Sequence, residues 1–133
     1  MVAVIAAFHI AFATGQVNGR AVLGRRIEAV EASLGKPASV ERYPVRVDIR
    51  YRGLEVIFAD GRHASAFLVT GTARPAAMRR ELRDTPGLHE SRPYHCDSRG
   101  CFGTFFSEDG RRRMIYGLNR GRPYVGVQRW PQP

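Results

Sequence analysis

An α+β fold is predicted, with short helices packed on an antiparallel β-meander and arranged as two helix-plus-meander repeats. Three observations predict it. Residues Gly24 to Pro37 read G-x5-V-x3-L-G-x-P, the pattern of a short helix with a glycine stop. Val45 to Tyr51 alternate apolar and charged residues, as a half-buried strand does. Asp-Gly pairs punctuate strand-like runs in both halves of the chain.

Taken in order, Met1 to Ala13 is mostly apolar, interrupted by His9, and too short for a bilayer span of about 20 residues. Phe8, Ile10 and Phe12 alternate as in a buried strand. Ala11-Phe12-Ala13 also suits a signal peptidase, although no basic region precedes it. The segment therefore reads as a strand or as a truncated signal or anchor. Gly24 to Leu34 is a helix whose apolar stripe is Ile27, Val30 and Leu34, with Gly35 at its left-handed end and Pro37 preventing continuation. Val45 to Arg52 is a strand with one wet and one buried face, and Gly53 breaks it. Leu54 to Ala59 is the next strand, Asp60-Gly61 a hairpin turn, and Arg62 to Thr70 the return. The core is expected to contain Leu34, Val47, Ile49, Phe58 and Phe67.

The second half repeats this order. Pro75 opens a helix with Met78 and Leu82 on one face, and Pro86-Gly87 closes it. Strands are expected at Arg92 to Cys96, Cys101 to Ser107, Met114 to Leu118 and Tyr124 to Trp130, and the tail Pro131 to Pro133 should fray. Asp60-Gly61-Arg62 recurs as Asp109-Gly110-Arg111 at an offset of 49 residues, and Val30 and Leu34 recur as Met78 and Leu82 at 48. The chain is thus read as a single domain over 1–133 with internal repeats at 24–71 and 75–130. A chain this long buries roughly two thirds of its unfolded surface and can fold without a metal or cofactor, and none is expected.

The net charge is +9, and Lys36 is the only lysine among 21 basic residues. The excess is uneven: residues 1–70 carry nine basic and six acidic residues, residues 71–133 twelve and six. Codon bias in a GC-rich genome is one source of such arginine richness. A field of this sign also favours anionic partners, whether acidic proteins, lipid headgroups or nucleic acid.

Cys96 and Cys101 are the only cysteines, flanking Asp97-Ser98-Arg99-Gly100. A hairpin there would set them opposite each other, within disulfide reach, which implies an oxidising compartment. Free thiols and a zinc site with His89 and His95 are the competing readings. Against zinc, His95 and Cys96 are adjacent and would point to opposite faces of a strand, with no C-x2-C or H-x3-H spacing. No metal site is therefore expected.

Gly24, Val30, Leu34, Gly35 and Pro37, followed by Leu54-Glu55-Val56-Ile57-Phe58 and the turn at Asp60-Gly61, resemble the SmpA/OmlA family of outer-membrane-assembly lipoproteins. A tandem of such units is similar to the secreted β-lactamase inhibitor proteins. The resemblance covers Gly24 to Thr70 and implies a two-layer fold, no catalysis, an exported location and a protein-binding role. The family's lipidated cysteine is absent, its tryptophan before the central strand is replaced by the Val45 to Arg52 alternation, and the only tryptophan is Trp130.

Enzyme readings lack a constellation. His63 and Ser65 share a strand face, where a hydroxyl and an imidazole are ordinarily solvated neighbours rather than a catalytic pair, Glu108-Asp109 is a turn, and no phosphate-cradling glycine loop occurs. The expected function is that of a non-enzymatic, exported or envelope-associated module, with no transmembrane span, that binds a protein or an anionic envelope surface; a cytoplasmic location is the competing reading. The alternative is a basic nucleic-acid-binding protein. The candidate binding residues are Arg99 at a hairpin tip, Arg111, Arg112, Arg113, Arg120 and Arg122 on the last hairpins, and the aromatics Tyr116, Tyr124 and Trp130 beside them.

Overall fold

The structure is a computed structural model and describes residues 15–17, 20–70 and 74–130. The expectations for 1–13 and for the tail Pro131 to Pro133 lie outside the described residues. A two-stranded ribbon, β1 (Gln16–Val17) and β2 (Arg20–Ala21), precedes helix α1 (Ile27–Leu34). Four strands follow: β3 (Ser39–Arg42), β4 (Val47–Tyr51), β5 (Leu54–Phe58) and β6 (Ala66–Thr70). Helix α2 (Pro75–Arg83) then leads into β7 (Leu88–Asp97), β8 (Gly100–Ser107), β9 (Arg112–Asn119) and β10 (Arg122–Arg129).

The eight strands from β3 onward form one antiparallel sheet in the order β3-β4-β5-β6-β10-β9-β8-β7. Each half is thus a helix followed by a four-stranded meander, and the halves meet where their last strands, β6 and β10, pair antiparallel from Tyr124 opposite Thr70 to Gln128 opposite Ala66. Among the described residues the sheet predominates over two short helices, so the α+β expectation holds in coarse form. Both halves contribute to one core, in which Val30 of α1 and Met78 and Leu82 of α2 join Val47, Ile49, Val56, Phe58, Phe67, Phe105, Met114, Tyr116, Val125 and Val127. Four of the expected core residues are buried there; Leu34 is partly buried and packs against it.

Several boundaries differ from expectation, each for a tertiary reason. Helix α1 begins at Ile27 rather than Gly24 because the three preceding residues pair with the β5–β6 connection. Gly24 N–H donates to Ala64 O at 2.8 Å, Ala64 N–H to Arg25 O at 2.9 Å, and the first helical N–H, of Ile27, to Arg62 O at 2.8 Å. No side chain caps this helix, so the connection supplies an acceptor that a capping residue would otherwise provide. The strand expected from Val45 starts at Val47, and Val45 is 65% exposed. Tyr43 to Arg46 is instead a turn closed by Tyr43 N–H to Arg46 O at 2.9 Å, which folds back the unforeseen strand β3. All four residues of β3 are exposed, so its pattern carries no burial signal.

The wet face of β4 is not uniformly wet either. Asp48 is buried because Arg46 forks onto its carboxylate, Nε to Oδ1 at 2.7 Å and Nη2 to Oδ2 at 2.8 Å. At the two sheet edges, β3 is short and charged, and β7 carries Pro93 and register shifts between Glu90 and His95. Both devices hinder pairing with a further strand.

The hairpin expected at Asp60-Gly61 is present, since β5 and β6 pair antiparallel, but its loop is longer than two residues and β6 begins only at Ala66 rather than Arg62. Asp60 organises the longer connection through its side chain: Oδ1 accepts from Arg62 N–H at 2.8 Å and His63 N–H at 2.7 Å, and Oδ2 faces His63 Nδ1 at 3.0 Å. The same device recurs at Asp97, which accepts from Arg99 N–H at 2.8 Å, and at Asp109, which accepts from Arg111 N–H at 2.9 Å. The recurring Asp-x-Arg is therefore a turn in which aspartate bonds the backbone two residues on.

These bonds have a pH consequence. The backbone N–H groups of His63 and Arg62 hold the Asp60 carboxyl well below the usual carboxylate range. Arg99 N–H does the same at Asp97, and the Ser107 hydroxyl, followed by Arg111 N–H, at Asp109. A carboxyl with a depressed folded pKa contributes its full stabilisation above its unfolded value near 4, and loses it as pH falls through the folded value. Stability should thus decline below about pH 4, less steeply in Asp60→Asn, which keeps an acceptor but not the charge. Urea unfolding at successive pH values checks this; identical acid slopes in parent and variant would remove Asp60 as a contributor.

Candidate functional site

Strand alternation divides the sheet into a face covered by the helices and a face left open by the described residues. The covered side holds Val125, Val127, Met114, Tyr116 and Phe105. In the same registers Tyr124, Gly126, Ile115, Gly117, Phe102, Thr104 and Phe106 fall on the opposite, open side. Phe102 and Phe106 are half-buried there, with Phe105 between them pointing into the core.

The open face of the second half joins arginines to aromatic rings. Phe102 lies under two guanidinium groups, Arg92 at 6.0 Å and Arg99 at 5.9 Å from its ring centre, with the His95 ring edge-on at 4.4 Å. Arg113 lies over Trp130 at 5.1 Å, and Trp130 meets Phe106 edge-on at 5.5 Å. Such cation-on-ring contacts contribute about 0.5 to 1 kcal/mol each at exposed sites and hold the arginines in place. Where β6, β10, β9 and β8 run side by side, a depression of about 400 Å³ is floored by Leu68, Ile115, Phe102 and Tyr124 and rimmed by Arg99, Arg122 and Glu55. The glycines deepen it: Gly117 stands in register between Phe102 and Tyr124, and Gly126 beside Leu68, so no side chain fills the middle.

Charge is unevenly satisfied across this face. On the first half, Arg50 pairs with Glu55 at 3.8 Å and Glu41 at 4.0 Å, and Asp48 is matched by Arg46. On the second half Arg99 has Asp97 at 3.2 Å, but Arg92, Arg113 and Arg122 have no carboxylate partner among the described residues. Burial, and next the charge of Arg92, lower the Arg113 pKa, the signature of a cation held without a counter-ion. Burial raises the pKa of Tyr124, which stays a neutral hydroxyl.

Of the residues singled out in sequence, Arg99, Arg113, Arg122, Tyr124 and Trp130 share this face. The others do not. Arg111 is exposed in the β8–β9 turn, where its carbonyl accepts Trp130 N–H at 2.7 Å. Arg112 turns to the covered side, beside Gly87, Leu88 and Glu108. Arg120 sits in the β9–β10 turn at φ 52°, followed by Gly121 at 77°. Tyr116 is fully buried under the helices. Arg92, Phe102 and Phe106 were not singled out; the alternation of Phe102, Thr104 and Phe106 against Phe105 was the available signal.

Cys96 and Cys101 form a disulfide, with Cα atoms 4.0 Å apart and directly opposite in the β7–β8 register. The bridge pins the turn that carries Arg99. By the chain-entropy relation, closing a loop this short contributes about 2 kcal/mol. Replacing both cysteines by serine should cost that much in denaturant unfolding and loosen the tip while the sheet persists. Equal stability of parent and variant would show that the bridge constrains nothing.

His63 and Ser65 are each occupied structurally. Ser65 Oγ donates to Ile57 O at 3.1 Å and accepts Ala59 N–H at 3.2 Å, while His63 faces Asp60. Among the described residues no three His, Cys, Asp or Glu side chains gather as a metal site, and no helix is long and apolar enough to cross a membrane. Set against family models, curated proteins and solved structures, the chain matches none of them.

Proposed function

We propose that this chain is an exported, non-enzymatic module that binds an acidic protein surface through the open face of its sheet. One observation carries the reading: Arg92, Arg113 and Arg122, without carboxylate partners among the described residues, stand around Phe102, Phe106, Tyr124 and Trp130. Arginine and large aromatics are the residues that dominate protein interfaces, and unpaired guanidiniums gain most from a partner's carboxylates. The disulfide supports export, since such bonds persist in oxidising compartments. The SmpA/OmlA-like reading is carried as part of this proposal; its support is a helix followed by a four-stranded meander over 27–70.

Single-stranded nucleic acid is the competing partner, because arginine and aromatics also track phosphates and stack bases. Two features weigh against it. Phe102 already has cations on its ring and His95 at its edge, leaving less of it for a base. Glu41, Asp48 and Glu55 lie on the same face and would repel a phosphate backbone crossing the sheet.

The test compares the parent chain with the double variant Arg113→Glu/Arg122→Glu. Both are used to capture partners by crosslinking from the source cell's envelope and are titrated with single-stranded DNA and RNA. The expected result is an acidic protein held by the parent and lost in the variant. Nucleic-acid binding whose log K falls against log salt more steeply than about −3 would transfer the face to the competing partner. Native protein recovered from the cytosol with both thiols open to alkylation would overturn export.

A further inference from the structure

The covered side of the sheet carries a second, unrelated feature. A cleft of about 480 Å³ runs between α2 and the strands β7 and β9, within the size range of small-molecule sites. Pro75, Ala76 and the ring of Tyr94 give it apolar walls, and Arg79, Arg80 and Arg83 line it from the helix. Its floor is Tyr116.

Tyr116 reaches this position because Gly103, its neighbour in the β8–β9 register, has no side chain. A Cβ there would lie 2.5 Å from the Tyr116 Oη and 2.6 Å from Cζ. The ring therefore passes over β8 toward β7, where Tyr94 stacks on it at 6.0 Å between centres. The residue is fully buried, yet its hydroxyl has no hydrogen-bond partner among the described residues. Leaving a buried donor unmet is costly, and such groups stand out in folded proteins.

The charges around the cleft are not balanced within it. Arg79 forks onto Glu90, Nε to Oε2 at 2.7 Å and Nη2 to Oε1 at 3.0 Å, and Arg83 reaches the same carboxylate at 3.7 Å. One carboxylate thus faces two arginines, and Arg80, on the same helix, has no carboxylate partner among the described residues. The cleft combines surplus guanidinium groups, a phenol donor and flat apolar walls.

We infer that this cleft binds a small aryl anion, its ring against Tyr94 and Pro75 and its carboxylate or phosphate head between the α2 arginines and the Tyr116 hydroxyl. Tyr94 is the movable wall: it is 36% exposed, and turning it aside opens the hydroxyl to the cleft. The acceptor atoms of the head complete the hydrogen bonding that Tyr116 lacks. Arg79 stays on Glu90, which keeps the helix in register with β7, while Arg80 and Arg83 supply the binding charge. The site is independent of the open face, and either can fail without the other.

The full chain is titrated by two-dimensional amide NMR with benzoate, phenyl phosphate, inorganic phosphate and benzyl alcohol. Saturable shifts at Tyr94, Tyr116 and the α2 arginines with benzoate or phenyl phosphate are expected, and whichever binds more tightly identifies the head group. Tyr116→Phe should weaken that binding by about tenfold, the range for a hydrogen bond to a charged group. Its fold should be retained, since the deleted hydroxyl bonds nothing. Arg83→Gln, on an exposed side chain, should weaken binding as well. Absence of saturable shifts overturns the proposal. So does equal binding of inorganic phosphate, which would make the cleft a plain anion site, or of benzyl alcohol, which would make it an apolar patch. Unchanged affinity in Tyr116→Phe overturns it too.

Discussion

Phe58→Ala is expected to lower the unfolding free energy by about 4 kcal/mol, a large share of the stability of a domain with a margin of about 5 to 15 kcal/mol. Phe58 is fully buried at the end of β5, opposite Val47, within the core shared by both helices. Truncation removes the apolar contact of the ring and leaves a cavity that β4 and β5 cannot close, because both are held by neighbouring strands. Val45→Ala is the matched control. Val45 is 65% exposed in the β3–β4 turn and should change stability by less than about 0.5 kcal/mol. Urea midpoints at constant slope make the comparison. An unchanged midpoint in Phe58→Ala would mean that β5 is out of register by one residue, with Ile57 facing inward instead.

Gly117→Ala is expected to cost about 3 kcal/mol and to disturb the open face. A Cβ at Gly117 would lie 2.0 Å from the carbonyl oxygen of Cys101 and 2.9 Å from the Cα of Phe102. Both are backbone atoms of a paired strand, so no side-chain rotation relieves the overlap, and β8 must move away from β9. Because Gly117 sits in register between Phe102 and Tyr124, the movement alters the depression that those rings floor. Loss of stability should therefore come with amide shifts at Phe102 and Tyr124. Gly110→Ala offers contrast: nothing lies within 4 Å of its added Cβ, and only its φ of 71° opposes substitution. About 1 kcal/mol is expected there. If both alanine variants were equally stable, the close approach of β8 and β9 would be disproved.

The candidate face was partly legible for a reason that can be traced residue by residue. Arg113, Arg122 and Tyr124 were identified by composition, as arginines interleaved with aromatics near the end of the chain. Composition does not separate the two sides of a strand, so Arg112 and Tyr116, which alternate onto the covered side, were grouped with them. Phe102 and Phe106 carry no surface signal in the sequence, because phenylalanine in a strand is ordinarily core. What leaves them on the open face is that the helices cover only one side of the sheet, a property of packing rather than of any local pattern.

What the sequence determined by itself were the features set by local chemistry. Gly35 and Pro75 mark one end of each helix, alternation located β4, and the spacing of Cys96 and Cys101 across a four-residue turn placed them opposite each other. These follow from backbone restriction and side-chain period, which act within a few residues. Tertiary structure alone decided the rest. Strand β3 exists because it pairs with β4, although all its residues are exposed. Helix α1 starts late because Gly24 to Arg26 bond to the β5–β6 connection. Asp60 organises a longer loop in the β5–β6 hairpin instead of a two-residue turn. The two meanders become one sheet through β6 and β10, whose contact joins residues more than 50 positions apart. Such pairings draw their free energy from hydrogen bonds and burial between distant segments, and no window of neighbouring residues contains that information.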